Sequence, residues 1–408
     1  MNSFFRVLGV ESVDSAAVKR LSLAVGIPEE RLHLYNETNT VPTGGDLAKI
    51  KDRLGVEPTF LMLSMGCLDR RLTDALQQHA TEVYEILKTH NSGLNISQSG
   101  KSPKRVFRTG LGELYQGDCL DMLASMPNDS VDLVFADPPF NLRKLYPSKI
   151  SDDLREHEYL TWCEEWGREC ARILKPGASF LVWNLPKWNT HMAGFLNHHL
   201  TFRHWISVDI KYRLPIAGRL YPSHYALLYY CKGEKPSVFH PDRLPMEVCP
   251  NCSEDLRDYG GYKDRMNPAG INLTDIWFDI APVRHAKYKK RKGANELPVR
   301  LLDRVIEMAS NPGNLIFDPF GGAGTTYIVS EIKQRRWIGV ELGPVDDIIS
   351  RFASINEDVT YLENIRRDYN HLFTDETLQT RKQRGLWTAE SVRALKESEP
   401  QVKLNFEI

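Results

Sequence analysis

No apolar run in this chain approaches the roughly 20 residues that a bilayer-spanning helix needs, so no membrane segment is expected. Residues 1–10 carry no basic stretch leading into an apolar core, which argues against a secretory leader and for a cytoplasmic protein. Cysteine is sparse: the seven thiols are scattered and most stand alone (Cys67, Cys119, Cys163, Cys170, Cys231). A chain of 408 residues does not depend on disulfide staples, so reduced thiols are expected. Excess charge is also lacking. With a net charge of −1 the chain as a whole will not adhere to polyanions, and any nucleic-acid contact must come from local patches. There is no internal repeat. One metal-like spacing occurs, Cys249-Pro-Asn-Cys252; with Cys231 and His240 it would complete a four-ligand zinc set. Structural zinc prefers two such pairs at short spacing, and only one is present, so no metal is expected.

What is present is enough chain for one large α/β domain and one or two smaller units. Residues 12–65 read as short helices (Asp14 to Val25, Glu29 to Asn36, Asp46 to Leu54, Pro58 to Leu63) broken by Gly26, Pro28, Gly44 and Gly55. Apolar residues at helical intervals from Arg70 to His90 predict one further helix, and the Ser/Gly/Asn/Lys-rich stretch from Asn91 to Lys104 predicts a linker. From about residue 106 the pattern alternates strands with helices. Strands are expected over Ser130–Ala136, Ser179–Trp183, Leu315–Asp318 and Trp337–Leu342, and helices over His157–Leu174, Leu297–Ala309 and Thr326–Lys333. Such alternation predicts a mostly parallel sheet with helices on both faces.

Three strand ends carry chemistry. The apolar run Val131 to Ala136 ends in Asp137-Pro138-Pro139-Phe140. In open α/β sheets, groups at the carboxyl ends of strands line the ligand crevice. A carboxylate and the Pro138 carbonyl, both acceptors, suit a planar amine with two hydrogens. The prolines stiffen the turn, and Phe140 offers a face on which a planar ring could stack. The second end is Leu315-Ile-Phe-Asp318-Pro319-Phe320-Gly321-Gly322-Ala323-Gly324-Thr325-Thr326, a strand, a glycine-rich turn and a helix start. Small residues there let the backbone approach a ligand. The turn lacks the Gly-Lys-Ser/Thr of a phosphate cradle, and Asp318 before it suits a cationic ligand. The third is Trp337-Ile-Gly-Val-Glu341, whose acid can accept from two ribose hydroxyls.

Taken together these segments resemble the amino-methyltransferases that act on DNA. The Asp137–Phe140 segment precedes the Asp318–Thr326 segment, as in the permuted β group, and the resemblance spans about residues 113 to 345. It extends through Leu114 to Asp121, Glu158 to Trp162, Arg172 to Gly177 and Ser179 to Trp183. It implies a Rossmann-like α/β fold with a small all-helical N-terminal domain. The implied cofactor is S-adenosyl-L-methionine, contacted by Asp118, Cys119, Asp137, Asn295, Glu296, Asp318, Pro319, Phe320, Gly321, Gly322, Gly324, Thr325, Thr326 and Glu341. It further implies a base flipped out of double-stranded DNA to Asp137, Pro138, Pro139 and Phe140, with direct transfer and no covalent enzyme intermediate. Gly293-Ala-Asn295-Glu296-Leu297-Pro298 departs from the family's His-Pro-Thr-Gln/Glu-Lys-Pro in lacking the lysine. Asp at the head of the loop is more typical of adenine-N6 enzymes; cytosine N4 is the alternative.

The expected organisation is a helical unit over 1–66, a helix and linker over 67–105, a methyltransferase domain over 106–375 and a polar, peripheral tail over 376–408. Residues 12–65 resemble a Cro/repressor-type helix-turn-helix, with Gly26 in the turn, although Glu29 and Glu30 would face phosphates unfavourably. Residues 190–292 interrupt the sheet pattern and mix aromatic with basic side chains; in the β group target recognition sits here. The expected DNA contacts are Arg213, Arg219, Tyr221, Tyr262 and Lys263, with the basic block Arg284, His285, Lys287 and Lys289 on phosphates. Rival readings are an RNA or protein-glutamine methyltransferase, opposed by the permuted order, and a DNA-binding regulator using the helical N-terminus. A homodimer and a cognate restriction endonuclease are the other partners considered.

Overall fold

The computed structural model describes residues 3–10, 14–90, 102–142, 153–209, 217–218, 220, 223–257, 267–280 and 296–391. They fall into two compact units, Met1–Asn95 and Ile96–Ile408.

The first unit holds α1 (Ser3–Val7), α2 (Ser15–Val25), α3 (Glu29–Thr38), α4 (Gly44–Leu54), α5 (Pro58–Met65), α6 (Arg70–Gln78) and α7 (Ala80–His90). Asp14 starts α2 by accepting the Ala17 N–H at 2.6 Å. Gly26 ends it at φ +69°, a left-handed conformation that costs a side-chain-bearing residue about 1–2 kcal/mol. Phe4, Phe5, Val18, Leu32, Ile50 and Leu61 are fully buried between these helices. The single helix expected from Arg70 to His90 is two helices, broken at His79. The polar run Gln77-Gln78-His79 supplies no apolar side chain to carry the stripe through.

The second unit begins with β1 (Lys104–Arg108), β2 (Gly112–Gln116), α8 (Cys119–Ser125), β3 (Val131–Ala136), α9 (Glu156–Ile173), β4 (Leu174–Asn184), α10 (Pro186–Leu196), β5 (Thr201–Asp209) and β6 (His224–Cys231). The short strands β7 (Arg243–Leu244), β8 (Ile271–Asn272) and β9 (Ile276–Trp277) follow. It continues with α11 (Val299–Ala309), β10 (Leu315–Asp318), α12 (Thr325–Ile332), β11 (Arg336–Glu341), α13 (Asp346–Ala353), α14 (Ile355–Arg366) and α15 (Asp375–Gln383).

A nine-stranded mixed sheet runs in the order β1-β2-β11-β10-β3-β4-β6-β5-β9. Its central strands β2, β11, β10, β3 and β4 are parallel. Because successive side chains of a strand point to opposite faces, β3 feeds two cores. Val134 and Ala136 pack with α8, α9 and α10; Leu133 and Phe135 pack with α11. A strand buried on both faces reads as a continuous apolar run, which is why β3 was visible in the sequence. The chain leaves β3 through α9 towards β4, but leaves β10 through α12 towards β11, on the other side. The order therefore reverses between β3 and β10, the position at which open α/β sheets hold ligands in a crevice beyond the strand ends.

Two expected boundaries change. Within 190–292 the described residues extend the sheet rather than only interrupting it, through β5, β6 and β9. β6 pairs antiparallel with β4 from Ser179↔Cys231 to Asn184↔Ala226, and its Leu228 and Tyr230 enter one core, Leu227 and Tyr229 the other. The tail expected to be peripheral is anchored up to the last described residues. Fully buried Arg381 lies over the rings of Phe373 and Trp387, each 4.5 Å away, and its Nε donates to the Trp387 carbonyl at 2.9 Å.

Candidate active site

Beyond β3 the loop Asp137-Pro138-Pro139-Phe140 is held by its last two carbonyls. The Tyr159 hydroxyl donates to the Pro139 carbonyl at 2.6 Å, and the Trp188 indole N–H to the Phe140 carbonyl at 2.7 Å. Asn184 Nδ2 donates in turn to the Tyr159 oxygen at 3.1 Å. Among the described residues no hydrogen bond reaches the Pro138 carbonyl or the Asp137 carboxylate. Just past the loop Asn141, at φ +53°, exchanges two 2.9 Å hydrogen bonds with the backbone of Leu154.

Phe140 differs from expectation. The residue is only 5% exposed and its ring lies 5.8 Å from that of Tyr225, which is tilted against Trp183 at 4.9 Å. It presents no open stacking face in this conformation, because β6, unforeseen in the sequence, brings Tyr225 against it.

Asp318 ends β10 at the other side of the crevice. Burial pushes its carboxyl up to about 7 and Glu341 adds to the rise, opposed by hydrogen bonds from Thr326 and the Phe320 N–H, the latter at 2.9 Å. Burial, and then the charge of Asp318, push the Asp137 carboxyl well above the usual carboxylate range. Pro319 is buried, and Phe320 packs edge-on to Trp166 at 5.2 Å.

The glycines divide by role. Gly324 sits at φ +73°, and a Cβ there would stand 2.7 Å from Ile348 Cγ2; at Gly321 a Cβ would meet the Tyr327 hydroxyl at 2.9 Å. Those two serve packing. Gly322 has φ +50° and open space where its side chain would be, nothing closer than 3.8 Å. Packing therefore does not require a glycine there, in contrast to the other two.

Glu341 ends β11 and shapes this turn: Oε2 accepts the Gly322 N–H at 2.9 Å and Oε1 the Gly343 N–H at 2.8 Å. Asp118, at the end of β2, caps α8 by accepting the Leu120 N–H at 2.8 Å. Cys119 does not face the crevice. It packs in the core with Cys170, and burial pushes its thiol well up.

Arg351 on α13 was not among the expected site residues. This arginine is 3% exposed. Its Nη1 donates to the Ala323 carbonyl at 3.1 Å and to Thr325 Oγ1 at 2.9 Å, and lies 3.5 Å from Glu296 Oε1. Its Nε reaches Asp358 at 3.3 Å. Glu296 is thus tied to the glycine turn through Arg351, and buried Thr326 through Asp318. An arginine on an amphipathic helix gives no sign in sequence that it points inward.

Asn295 lies outside the described residues, as do Arg213, Arg219, Tyr221, Tyr262, Lys263, Arg284, His285, Lys287 and Lys289. Among the described residues no group of three or more metal-ligating side chains exists. Cys231 is buried against the Gly233 carbonyl, and His240 pairs with Asn311, so neither joins Cys249 and Cys252.

A mixed sheet whose parallel strands reverse order between β3 and β10, a glycine turn open at Gly322, and the acids Asp137 and Asp318 whose carboxyls are pushed up are the fold and site of an S-adenosylmethionine-dependent methyltransferase. The DNA methylase family model matches residues 131–345, more than half of the chain. The chain is 44% identical over 368 residues to the type II methyltransferase M.BamHI of Bacillus amyloliquefaciens, covering 90% of this chain and 87% of that one. It is 29% identical to the DNA adenine methyltransferase YhdJ of Escherichia coli, over 60% of this chain and 83% of that one. A solved PvuII DNA methyltransferase, titled cytosine-N4-specific, aligns with TM-score 0.46 and 20% identity, over 65% of this chain and 96% of that one. The chain belongs to the DNA methylase family.

Proposed function

We propose that this DNA methyltransferase methylates the exocyclic amino nitrogen of a base flipped out of double-stranded DNA, adenine N6 being the preferred acceptor. The observation that carries the reading is a pair of acceptors, the Asp137 carboxylate and the Pro138 carbonyl, that no hydrogen bond reaches among the described residues, at the strand end beside Asp318.

Asp318, the backbone around Gly322 and Glu341 would hold S-adenosylmethionine, with Asp318 facing positive charge and Glu341 the ribose. When bound, this cofactor supplies a methyl group on a sulfonium that leaves as a neutral thioether. An amine conjugated with a base ring is a weak nucleophile. Asp137 and Pro138, each accepting one amino hydrogen, draw the nitrogen towards a pyramidal geometry in which its lone pair can attack. Asp137 must be ionised to do so, and positive charge in the crevice brings its raised carboxyl back down. The surplus amino proton leaves through Asp137 to solvent. No cysteine nucleophile is needed, in keeping with Cys119 lying in the core.

Adenine rests on Asp137 heading the loop. A second reading is methylation of cytosine N4, since the family model that matches the chain takes in both N6 and N4 enzymes. The basic and aromatic residues from Arg213 to Lys289 are proposed as the DNA surface and the N-terminal helices as a further DNA-reading or pairing unit. M.BamHI is named a type II methyltransferase, which supports a place beside a restriction endonuclease.

The test is transfer of tritiated methyl from S-adenosylmethionine to unmethylated genomic DNA, with the nucleoside identified by mass. N6-methyladenine establishes the first reading and N4-methylcytosine the second. No label in DNA overturns both.

A further inference from the structure

The Asp137–Phe140 loop has three successive carbonyls after the acid, and they are treated differently. Those of Pro139 and Phe140 each receive a short hydrogen bond from an aromatic side chain on a helix, while among the described residues none reaches that of Pro138. Both donors are buried: Tyr159 is 1% and Trp188 6% exposed. They stand side by side, ring centroids 4.8 Å apart, although one comes from the first turns of α9 and the other from the start of α10.

Behind Tyr159 stands a second donor. Asn184, at the last position of β4 and 3% exposed, donates to the phenol oxygen at 3.1 Å, while its own Oδ1 accepts the Leu185 N–H at 2.7 Å. A hydroxyl that accepts one hydrogen bond becomes a stronger donor in the next. The chain Asn184 → Tyr159 → Pro139 carbonyl therefore has a fixed direction. Consecutive prolines cannot donate backbone hydrogen bonds of their own, so this loop depends on side chains for its orientation.

We infer that Tyr159 and Trp188, with Asn184 behind Tyr159, are positioning residues for methyl transfer. They anchor the Pro139 and Phe140 carbonyls away from the crevice and so aim the Pro138 carbonyl and Asp137 at the base amine. They touch neither base nor cofactor. Misplacing a reacting group by about 1 Å can cost on the order of a hundredfold in rate, so an anchor worth one hydrogen bond is visible in catalysis. The inference rests on methylation at this loop.

The full-length protein and its variants are compared in single-turnover methyl transfer to unmethylated plasmid DNA, enzyme in excess and S-adenosylmethionine saturating. Cofactor affinity is measured by calorimetry and folding by thermal melting. Tyr159→Phe keeps the ring and removes the donor. The transfer rate is expected to fall about tenfold, with cofactor Kd changed less than about twofold. Asn184→Ala, which weakens the donor without removing it, should lose less than Tyr159→Phe. Trp188→Phe should slow transfer independently if Tyr159→Phe proves poorly folded. A merely structural role would lower melting temperature and cofactor affinity together with rate. That pattern, or an unchanged rate in both Tyr159→Phe and Trp188→Phe, overturns the inference. A wild-type protein that labels no DNA overturns instead the proposed function beneath it.

Discussion

Asp137 and Asp318 end neighbouring parallel strands, and burial together with the charge of Asp318 holds the Asp137 carboxyl well above the ordinary carboxylate range. With Asp318 itself raised to about 7, the crevice concentrates carboxyls that resist ionisation until a cation enters.

This arrangement makes cofactor binding pH-dependent. An acid with a raised folded pKa binds more protons folded than unfolded, so the cofactor-free protein loses stability as pH rises from about 4, the unfolded value, through about 7. A bound cation lowers both carboxyls and expels protons. Affinity for S-adenosylmethionine is therefore expected to rise between pH 6 and 8, with proton release seen by calorimetry in buffers of different ionisation enthalpy. Affinity flat across that range would remove Asp318 from cation binding.

Asp318→Asn removes the charge while keeping the shape. At pH 7.5 the variant should melt higher than wild type without cofactor, yet show little thermal shift on adding S-adenosylmethionine. A full wild-type shift would contradict the role assigned to Asp318.

Asp137→Ala acts at the base instead. Methyl transfer should fall at least about a hundredfold, the scale on which positioned acid-base groups act. Cofactor affinity measured at pH 8 should stay within a fewfold of wild type. Equal loss of both would make Asp137 a cofactor ligand rather than a base ligand.

Gly324→Ala and Gly322→Ala should separate packing from ligand approach. At Gly324 the new methyl meets Ile348 Cγ2 at 2.7 Å in a left-handed backbone, costing about 1–3 kcal/mol of stability. At Gly322 space is open, so only the backbone cost applies, and the loss should appear mainly as weaker cofactor binding. Denaturant unfolding and calorimetry on both variants check this; a Gly324→Ala protein as stable as wild type would refute the packing role.

Arg351→Met leaves Glu296 and Asp358 buried without their guanidinium. Breaking a buried ion pair from one side costs roughly 3–5 kcal/mol, so a marked drop in melting temperature is expected, together with weaker cofactor binding as the Ala323–Thr325 turn loosens. Unchanged melting would show that the two acids find other partners.

Local pattern alone determined much of this protein. β3, β10 and β11 are apolar runs ending in acids or glycines, and α2 and α4 have glycines at their ends, so nearest-neighbour chemistry sufficed to place them and to propose Asp137, Asp318, Glu341 and the glycines from Gly321 to Gly324 together, which only the packing of Tyr327 and Ile348 tells apart. Tertiary structure alone decided the rest. β6 is itself an apolar run, but its antiparallel pairing with β4, and so its place in the sheet, comes only from contact between distant segments; the thiol of Cys119 turns inward because α8 packs on α9. Tyr159, Asn184, Trp188 and Arg351 act through partners up to about fifty residues away, and a hydrogen bond between distant groups leaves no periodicity in sequence. Sequence names the atoms at a strand end, but only the packed helices behind it determine which of those atoms remain free to meet a substrate.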